Sequence, residues 1–364
     1  MAYPIEKKLV VAVSSTVLFD LSREHEIYLS EGLEAFRKYQ REHRHEIPKP
    51  GVGFPFIKRL LRLNELAPEG EHPVEVVVLS RYHADDGMRV MDAVAAHGLD
   101  ITRAFFMAGG KPYPFMEAVN ASLYLSTNAE QVREAVGAGY PAGTVLPCAA
   151  EDDGGDEQLR LAFDFDGVLV DDEAEKVYKE HGDLEEFREH ELEHRDEPLG
   201  AGPLAPLMQR LSHLQELDAA RALADPSKKR MLRVAIVTAR GAPAHERLVN
   251  TLSALGIEAD EVFLLGGIEK KRVLEILKPH LFFDDQLVHL APVAASVPCA
   301  HIPFGVANLV EGRRSKVKGR KTEVDCSRRQ SIAVERQSEG DGRRTTGEGT
   351  GDKRQETGGK EEKR

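Results

Sequence analysis

Leu159 to Asp172 reads L-R-L-A-F-D-F-D-G-V-L-V-D-D. A short apolar run, Leu161 to Phe163, ends in two carboxylates one residue apart, Asp164 and Asp166. Gly167 and a second apolar patch follow. Such a run predicts a strand buried in a parallel sheet, with a tight turn at Gly167. Acids at the carboxyl end of that strand lie in the crevice where open α/β sheets bind ligands. Two buried acids are costly unless positive charge sits between them. A hard cation such as Mg²⁺, bridged by a phosphate, supplies that charge. The stretch therefore points to aspartate-based phosphoryl transfer.

Outward from this stretch, strands alternate with helices. Leu9–Val13 and Val74–Leu79 read as buried strands, Ala104–Met107 as a short strand closed by Gly109-Gly110, and Leu123 begins another. Helical spacing covers Ile27–His43, Phe56–Leu66, Gly87–His97 and Ala129–Val136. Pro141–Glu157, ending E-D-D-G-G-D-E, reads as an inter-domain linker. Beyond Asp172 comes a very polar helical segment to Glu197, then a turn and a helix over Leu204–Ala224. Leu232–Thr238, Val262–Leu265 and Leu281–Asp285 are further strands, with helices over Ala244–Leu255 and Lys270–Leu277. This order predicts an α/β fold with parallel sheets and helices on both faces. From Glu311 the apolar content collapses, which predicts a disordered charged tail over 311–364.

The halves repeat. Gly98 matches Gly256, Met107-Ala108-Gly109 matches Leu265-Gly266-Gly267, and Leu123–Thr127 matches Leu281–Asp285, all at an offset of 158. Val78–Arg81 falls near Val237–Arg240 at 159, and Ala12–Thr16 on Ala162–Asp166 at 150. Each strand-end carboxylate of the second half meets a hydroxyl in the first: Ser14 and Thr16 face Asp164 and Asp166, while Ser126 and Thr127 face Asp284 and Asp285. The reading is two similar Rossmann-like units. Residues 1–150 form a degenerate unit without metal-binding aspartates; 158–310 form the catalytic unit, with a mostly helical cap inserted at about 172–230.

Composition narrows the function classes. The net charge is −12. The tail holds 16 Lys/Arg against 11 Asp/Glu, so the remaining body carries −17. An acidic body repels a phosphate backbone and argues against nucleic acid as a partner. Cys148, Cys299 and Cys326 are far apart and in no metal spacing, which fits a reducing cytoplasm. No apolar run approaches a membrane span or a signal core, so the expectation is a soluble cytoplasmic protein with no membrane partner.

Four pieces carry the chemistry, in chain order. In Asp164-x-Asp166 one carboxylate attacks phosphorus and the other moves the proton; spacing alone does not say which. Thr238, at a strand end, offers a hydroxyl and following amides to phosphate oxygens. Lys270, at a helix start, offers a point charge. Asp284-Asp285 offers either one metal ligand and a carboxylate that supports it or two ligands, and an all-oxygen set favours Mg²⁺ over zinc. A lone strand-end acid is usually a cap or turn residue; four pieces at successive strand ends are not explained that way.

D-F-D-G-V, V-T-A-R, a lysine after G-G and F-F-D-D together resemble the haloacid-dehalogenase-like phosphohydrolase superfamily. More closely, the chain resembles the cytosolic 5′-nucleotidase type I family. The match extends through A-V-S-S-T-V-L-F (12–19), F-P-F-I-K (54–58), L-Y-L-S-T-N-A-E-Q-V-R-E-A (123–135), E-P-L-G-A-G-P-L (197–204) and H-I-P-F-G-V-A (301–307). The resemblance implies Mg²⁺-dependent hydrolysis of nucleoside 5′-monophosphates, typically AMP. It implies Asp164 as nucleophile, Asp166 as acid/base, Thr238 and Lys270 as phosphate ligands, and Asp164, Asp166, Asp284 and Asp285 around the metal. Phe165 departs from the glycine that eukaryotic members of the family place between the aspartates. A broader small-molecule phosphatase and a non-catalytic nucleotide sensor are the alternatives.

Other patterns read as decoys. His190-Glu191-Leu192-Glu193-His194 spells H-E-x-x-H, but its charged setting reads as a solvated cap helix rather than a zinc site. Gly109-Gly110-Lys111 fails the P-loop spacing and reads as a turn. His83 stands just beyond a strand end, a surface or capping position from which it could also reach a substrate base.

Overall fold

A computed structural model describes residues 3–68, 70–176 and 184–308. The charged tail, Cys326 and part of the polar segment after Asp172 lie outside the described residues. Among the described residues the strands are β1 (Leu9–Val13), β2 (Val74–Ser80), β3 (Arg103–Phe106), β4 (Leu123–Ser126), β5 (Ala142–Val145), β6 (Leu159–Phe163), β7 (Leu232–Thr238), β8 (Glu261–Leu264), β9 (Leu281–Asp284) and β10 (Cys299–His301). They form one mostly parallel sheet in the order β3-β2-β1-β4-β5-β10-β9-β6-β7-β8.

β1 and β6 are each flanked on both sides by parallel neighbours. A strand so placed has no wet face, hence the unbroken apolar runs L-V-V-A-V and L-R-L-A-F, in which Arg160 alone is polar. Alternate residues feed opposite layers. Val11, Val13, Leu161 and Phe163 join one cluster that runs under both halves. On the other face, Val10 and Ala12 pack in one cluster and Ala162 in another.

The two separate sheets expected from the sequence are one. Each half lays five strands in the same order, β3-β2-β1-β4-β5 and β8-β7-β6-β9-β10, and the halves join where β5 pairs antiparallel with β10. The carboxyl ends of the two strand sets therefore face opposite edges. The join falls inside the expected linker. Ala142–Val145 also pairs in parallel with β4. Pro141 and Gly143 gave it the look of a loop, yet Gly143 serves close packing, since a Cβ there would lie 2.9 Å from Ile302 Cδ1.

Matching contacts recur between the halves. Phe19 bridges Pro50 as Val170 bridges Ala201. Gly51 N–H donates to Leu18 O at 2.8 Å, and Gly202 N–H to Leu169 O at 3.0 Å. The helices Leu33–Glu42 and Leu184–Glu193 sit 151 residues apart. The helix Leu184–Glu193 thus has a counterpart in the first half, where the single helix expected over Ile27–His43 is two, divided at Gly32 with φ +88°. One register shifts. Tyr82 N–H donates to Ser80 Oγ at 3.3 Å, as Arg240 N–H donates to Thr238 Oγ1 at 3.2 Å. Tyr82, rather than Arg81, is the partner of Arg240. Among the described residues no helix is long and apolar enough to cross a membrane.

Candidate active site

β9, β6 and β7 are neighbours, so their carboxyl ends converge. Asp164 follows β6 directly, Thr238 closes β7, Asp284 closes β9 and Asp285 follows it. Lys270 is the first residue of the helix Lys270–Leu277 and reaches into the same crevice. Asp164, Thr238, Lys270, Asp284 and Asp285 are all buried.

Lys270 lies between two of the acids. Its Nζ is 2.7 Å from Asp164 Oδ2 and 2.7 Å from Asp284 Oδ2. Burial alone would discharge a lysine, but the two carboxylates raise its pKa above the ordinary value. An ammonium has three donors, and one remains for a substrate oxygen. Asp284 is held further by the Gln286 N–H at 2.8 Å and by His289 Nδ1 at 3.3 Å. Burial pushes its pKa up, yet Lys270 and His289 hold it below the usual carboxylate range. Asp164 accepts the Phe165 N–H at 2.8 Å. Burial pushes Asp164 up to about 7, with Lys270 opposing and Asp284 and Asp166 adding to the rise.

Asp285 makes no ion pair among the described residues. Its Oδ1 is buried and unpartnered among the described residues. Burial, with Asp164, Asp284 and Glu175 near, pushes it up to about 10. Gly167 makes room for it: with φ +71°, a Cβ there would stand 2.6 Å from Asp285 Oδ2. A buried orphan oxygen beside two more carboxylates, with one lysine for all three, suits an oxygen-seeking divalent cation. Asp164, Asp284 and His289 also bring possible ligand atoms within 4.8 Å of one another. Lys270 already bridges that pair of acids, whereas Asp285 Oδ1 has no partner among the described residues.

Asp166 turns the other way. Arg240 grips it with both arms, Nε to Oδ2 at 2.8 Å and Nη2 to Oδ1 at 2.7 Å. Its carboxylate is therefore engaged by arginine rather than aimed at a metal. Arg240 Nη1 donates in turn to Glu191, and Arg247 donates to the other Glu191 oxygen at 2.9 Å. Arg247 also reaches Glu173 at 3.0 Å and Glu197 O at 2.9 Å. The guanidinium of Arg240 lies 5.1 Å from the centre of the Phe165 ring, so the residue that departs from the family pattern forms the floor under that arginine.

The sequence reading missed Arg240, Glu191 and Arg247. Arg240 was visible as the last letter of V-T-A-R. Glu191 is the glutamate of H-E-x-x-H, and the expected solvated helix is corrected there: Glu191 is fully buried between two arginines. His190 and His194 stack on one another with ring centres 4.2 Å apart. The other decoys resolve as turn and surface features. Lys111 pairs with Glu134 at 3.1 Å, and His83 Nε2 is 2.9 Å from Arg37 Nη2.

An open cavity is lined mostly by first-half residues, among them Ser14, Thr16, Arg81 and Thr127, with Asp172, Lys176 and His301 of the second half also on its wall. There Thr16 lies 3.0 Å from Ser14 and 2.7 Å from Thr127, hydroxyl to hydroxyl. Among the described residues no strand-end acid gathers at that edge; the buried carboxylates and their lysine stand at the strand ends of the second half.

A family model described as 5′-nucleotidase matches residues 1–309. Human cytosolic 5′-nucleotidase 1B is 35% identical over 291 residues, which is 78% of this chain and 46% of the relative. The chain thus spans about half the length of that curated protein. No solved structure matches significantly.

Proposed function

The chain belongs to the 5′-nucleotidase family, and on that premise we propose that it hydrolyses nucleoside 5′-monophosphates, AMP among them, in the presence of Mg²⁺. The observation that carries the reading is the buried Asp164–Lys270–Asp284 bridge beside the unpartnered Asp285. Strand-end acids held for a cap or turn would not be left in that state. A relative that the chain matches is itself named a cytosolic 5′-nucleotidase, in keeping with a cytoplasmic place for this chain. In the same reading the halves are two haloacid-dehalogenase-like units, the first of which lacks the aspartates.

Asp164 attacks phosphorus in line, and the bond to the nucleoside oxygen breaks as the aspartyl bond forms. Asp166 gives its proton to the departing oxygen, then takes one from the water that cleaves the aspartyl-phosphate. Lys270 and the Thr238 hydroxyl hold phosphate oxygens. A divalent cation on Asp285 and Asp164 would supply the remaining positive charge. The helix Leu184–Glu193 belongs to a cap that keeps bulk water from the phosphate.

Phosphate release across the four common 5′-monophosphates and a hexose phosphate, with Mg²⁺ or with EDTA, tests the proposal. Turnover of nucleotides that Mg²⁺ restores after EDTA is expected, and Asp164→Asn abolishes it with the fold intact. Equal rates on the hexose phosphate would favour a broad phosphatase. Absence of release from every substrate would favour a nucleotide sensor.

A further inference from the structure

The second half carries a line of alternating charge, from the half-buried Asp166 through the buried Arg240, Glu191 and Arg247, that runs from the carboxylate crevice into the helix Leu184–Glu193. Glu191, Arg240 and Arg247 are each less than 5% exposed. Buried ion pairs repay their desolvation poorly, and apolar or neutral groups of similar size often serve the fold as well. Something other than folding should therefore keep these charges.

The first half supplies an internal control. Arg89 is the counterpart of Arg247. It donates to Glu46 O at 2.9 Å and to Gln40 at 3.0 Å and pairs with Glu24, as Arg247 donates to Glu197 O and pairs with Glu191 and Glu173. That anchor is common to both halves. The remaining positions differ together. Where the second half has Asp166, Arg240 and Glu191, the first has Thr16, Tyr82 and Gln40. The same architecture stands without the three charges. At the positions of Arg240 and Glu191, arginine and glutamate stand only in the half whose strand end carries Asp166.

We infer that Glu191 and Arg240 are positioning residues for Asp166, and that docking of the helix Leu184–Glu193 sets the proton-transfer group. This rests on the phosphohydrolase reading above, with Asp166 as acid/base. Two parallel N–H···O bonds from Arg240 fix the plane of the Asp166 carboxyl group and leave an outer lone pair on each oxygen for the proton in transit. Glu191 holds Arg240 in that plane. A cap that is not docked leaves Arg240 without its second carboxylate, and Asp166 without its orientation.

The test is Glu191→Gln, assayed for kcat/KM with two substrates, AMP and 4-nitrophenyl phosphate. kcat/KM reports the steps through cleavage of the substrate P–O bond. The alkoxide leaving from AMP needs a proton, whereas nitrophenolate leaves without one. The expected result is a fall of ~10–100-fold on AMP, toward the size of a general-acid contribution. The fall on 4-nitrophenyl phosphate stays within about threefold, and KM for AMP changes as little. Because an unpaired Arg240 can disturb folding, a second variant, Glu191→Gln with Arg240→Tyr, copies the neutral Gln40 and Tyr82 of the first half. It is expected to fold and to show the same contrast between substrates. Equal losses on both substrates, or no loss on AMP, overturn the positioning role while leaving the hydrolase reading in place. A wild-type protein that turns over neither substrate overturns both.

Discussion

Lys270→Met removes the cation from the centre of the site while keeping most of the side-chain volume. In the native fold Nζ makes two contacts of 2.7 Å, and the three side chains involved are 3%, 5% and 0% exposed. Each contact is a gross attraction of ~6 kcal/mol at an effective dielectric of ~20. Desolvation of the lysine offsets much of that, but the substitution leaves Asp164 and Asp284 buried without their cation. The expected loss is ~3–5 kcal/mol, the usual result of stripping one partner from a buried ion pair. Urea unfolding in EDTA measures it. A metal that binds only the native state returns RT ln(1 + [L]/Kd), ~2.7 kcal/mol at 100 times Kd. The variant site carries one more negative charge, so Mg²⁺ should restore more stability to the variant than it adds to the parent. Hydrolysis should fall sharply in either buffer, since the phosphate loses its lysine. A loss under about 1 kcal/mol in EDTA, or equal Mg²⁺ increments in the two proteins, would refute the view that Lys270 substitutes for cation charge among these acids.

Three further outcomes are expected. Gly167→Ala places a side chain at φ +71° and a Cβ 2.6 Å from Asp285 Oδ2; it should destabilise by ~1–2 kcal/mol and raise the Mg²⁺ concentration for half-maximal phosphate release by ~10-fold. Asp218 accepts the backbone N–H groups of Met231 at 2.7 Å and Leu232 at 3.0 Å and pairs with Arg221 and Arg230; Asp218→Ala should lower stability by ~3–5 kcal/mol, seen in thermal unfolding, with kcat/KM per folded molecule unchanged. His280 is held down to about 3 by burial, then by Arg59 and Arg160, and its Nδ1 accepts the Arg160 N–H at 3.0 Å. The imidazole is neutral in the fold and titrates near 6.5 when unfolded, so protons favour the unfolded chain. Its contribution is complete above pH 6.5 and falls by ~1.4 kcal/mol per unit below it. His280→Asn should flatten that part of the Tm–pH curve between pH 6.5 and 5.

The site was legible where chemistry demands a residue type at a strand end. Asp164, Thr238, Lys270, Asp284 and Asp285 all reach one crevice because β9, β6 and β7 are neighbours, and the parallel order implied by alternating strands and helices requires that convergence. The sheet's continuity was not legible. A four-residue strand containing a glycine carries little signal of its own, and Ala142–Val145 becomes a strand because β4 and β10 both offer it backbone partners. Glu191 was hidden for a different reason. A run of E-E-F-R-E-H-E-L-E-H has the composition of a solvated helix, and only the arrival of Arg240 and Arg247 from other elements converts one of its acids into a buried one.

The repeat explains how far such a reading can go. An offset of 159 pairs Arg81 with Arg240 and makes the arginine look like a shared structural feature. The backbone bonds from residue 82 to Ser80 and from residue 240 to Thr238 set the offset at 158 instead. That single step changes the meaning of the residue. Arg240 then stands where the first half has Tyr82, so it belongs with Asp166 and Glu191 to the set that differs between the halves, whereas Arg247 and Arg89 belong to the set that does not. Residues shared by both halves answer to the fold. Residues that change with the strand-end acids answer to the reaction, and the charge on Arg240 and Glu191 follows the carboxylate of Asp166.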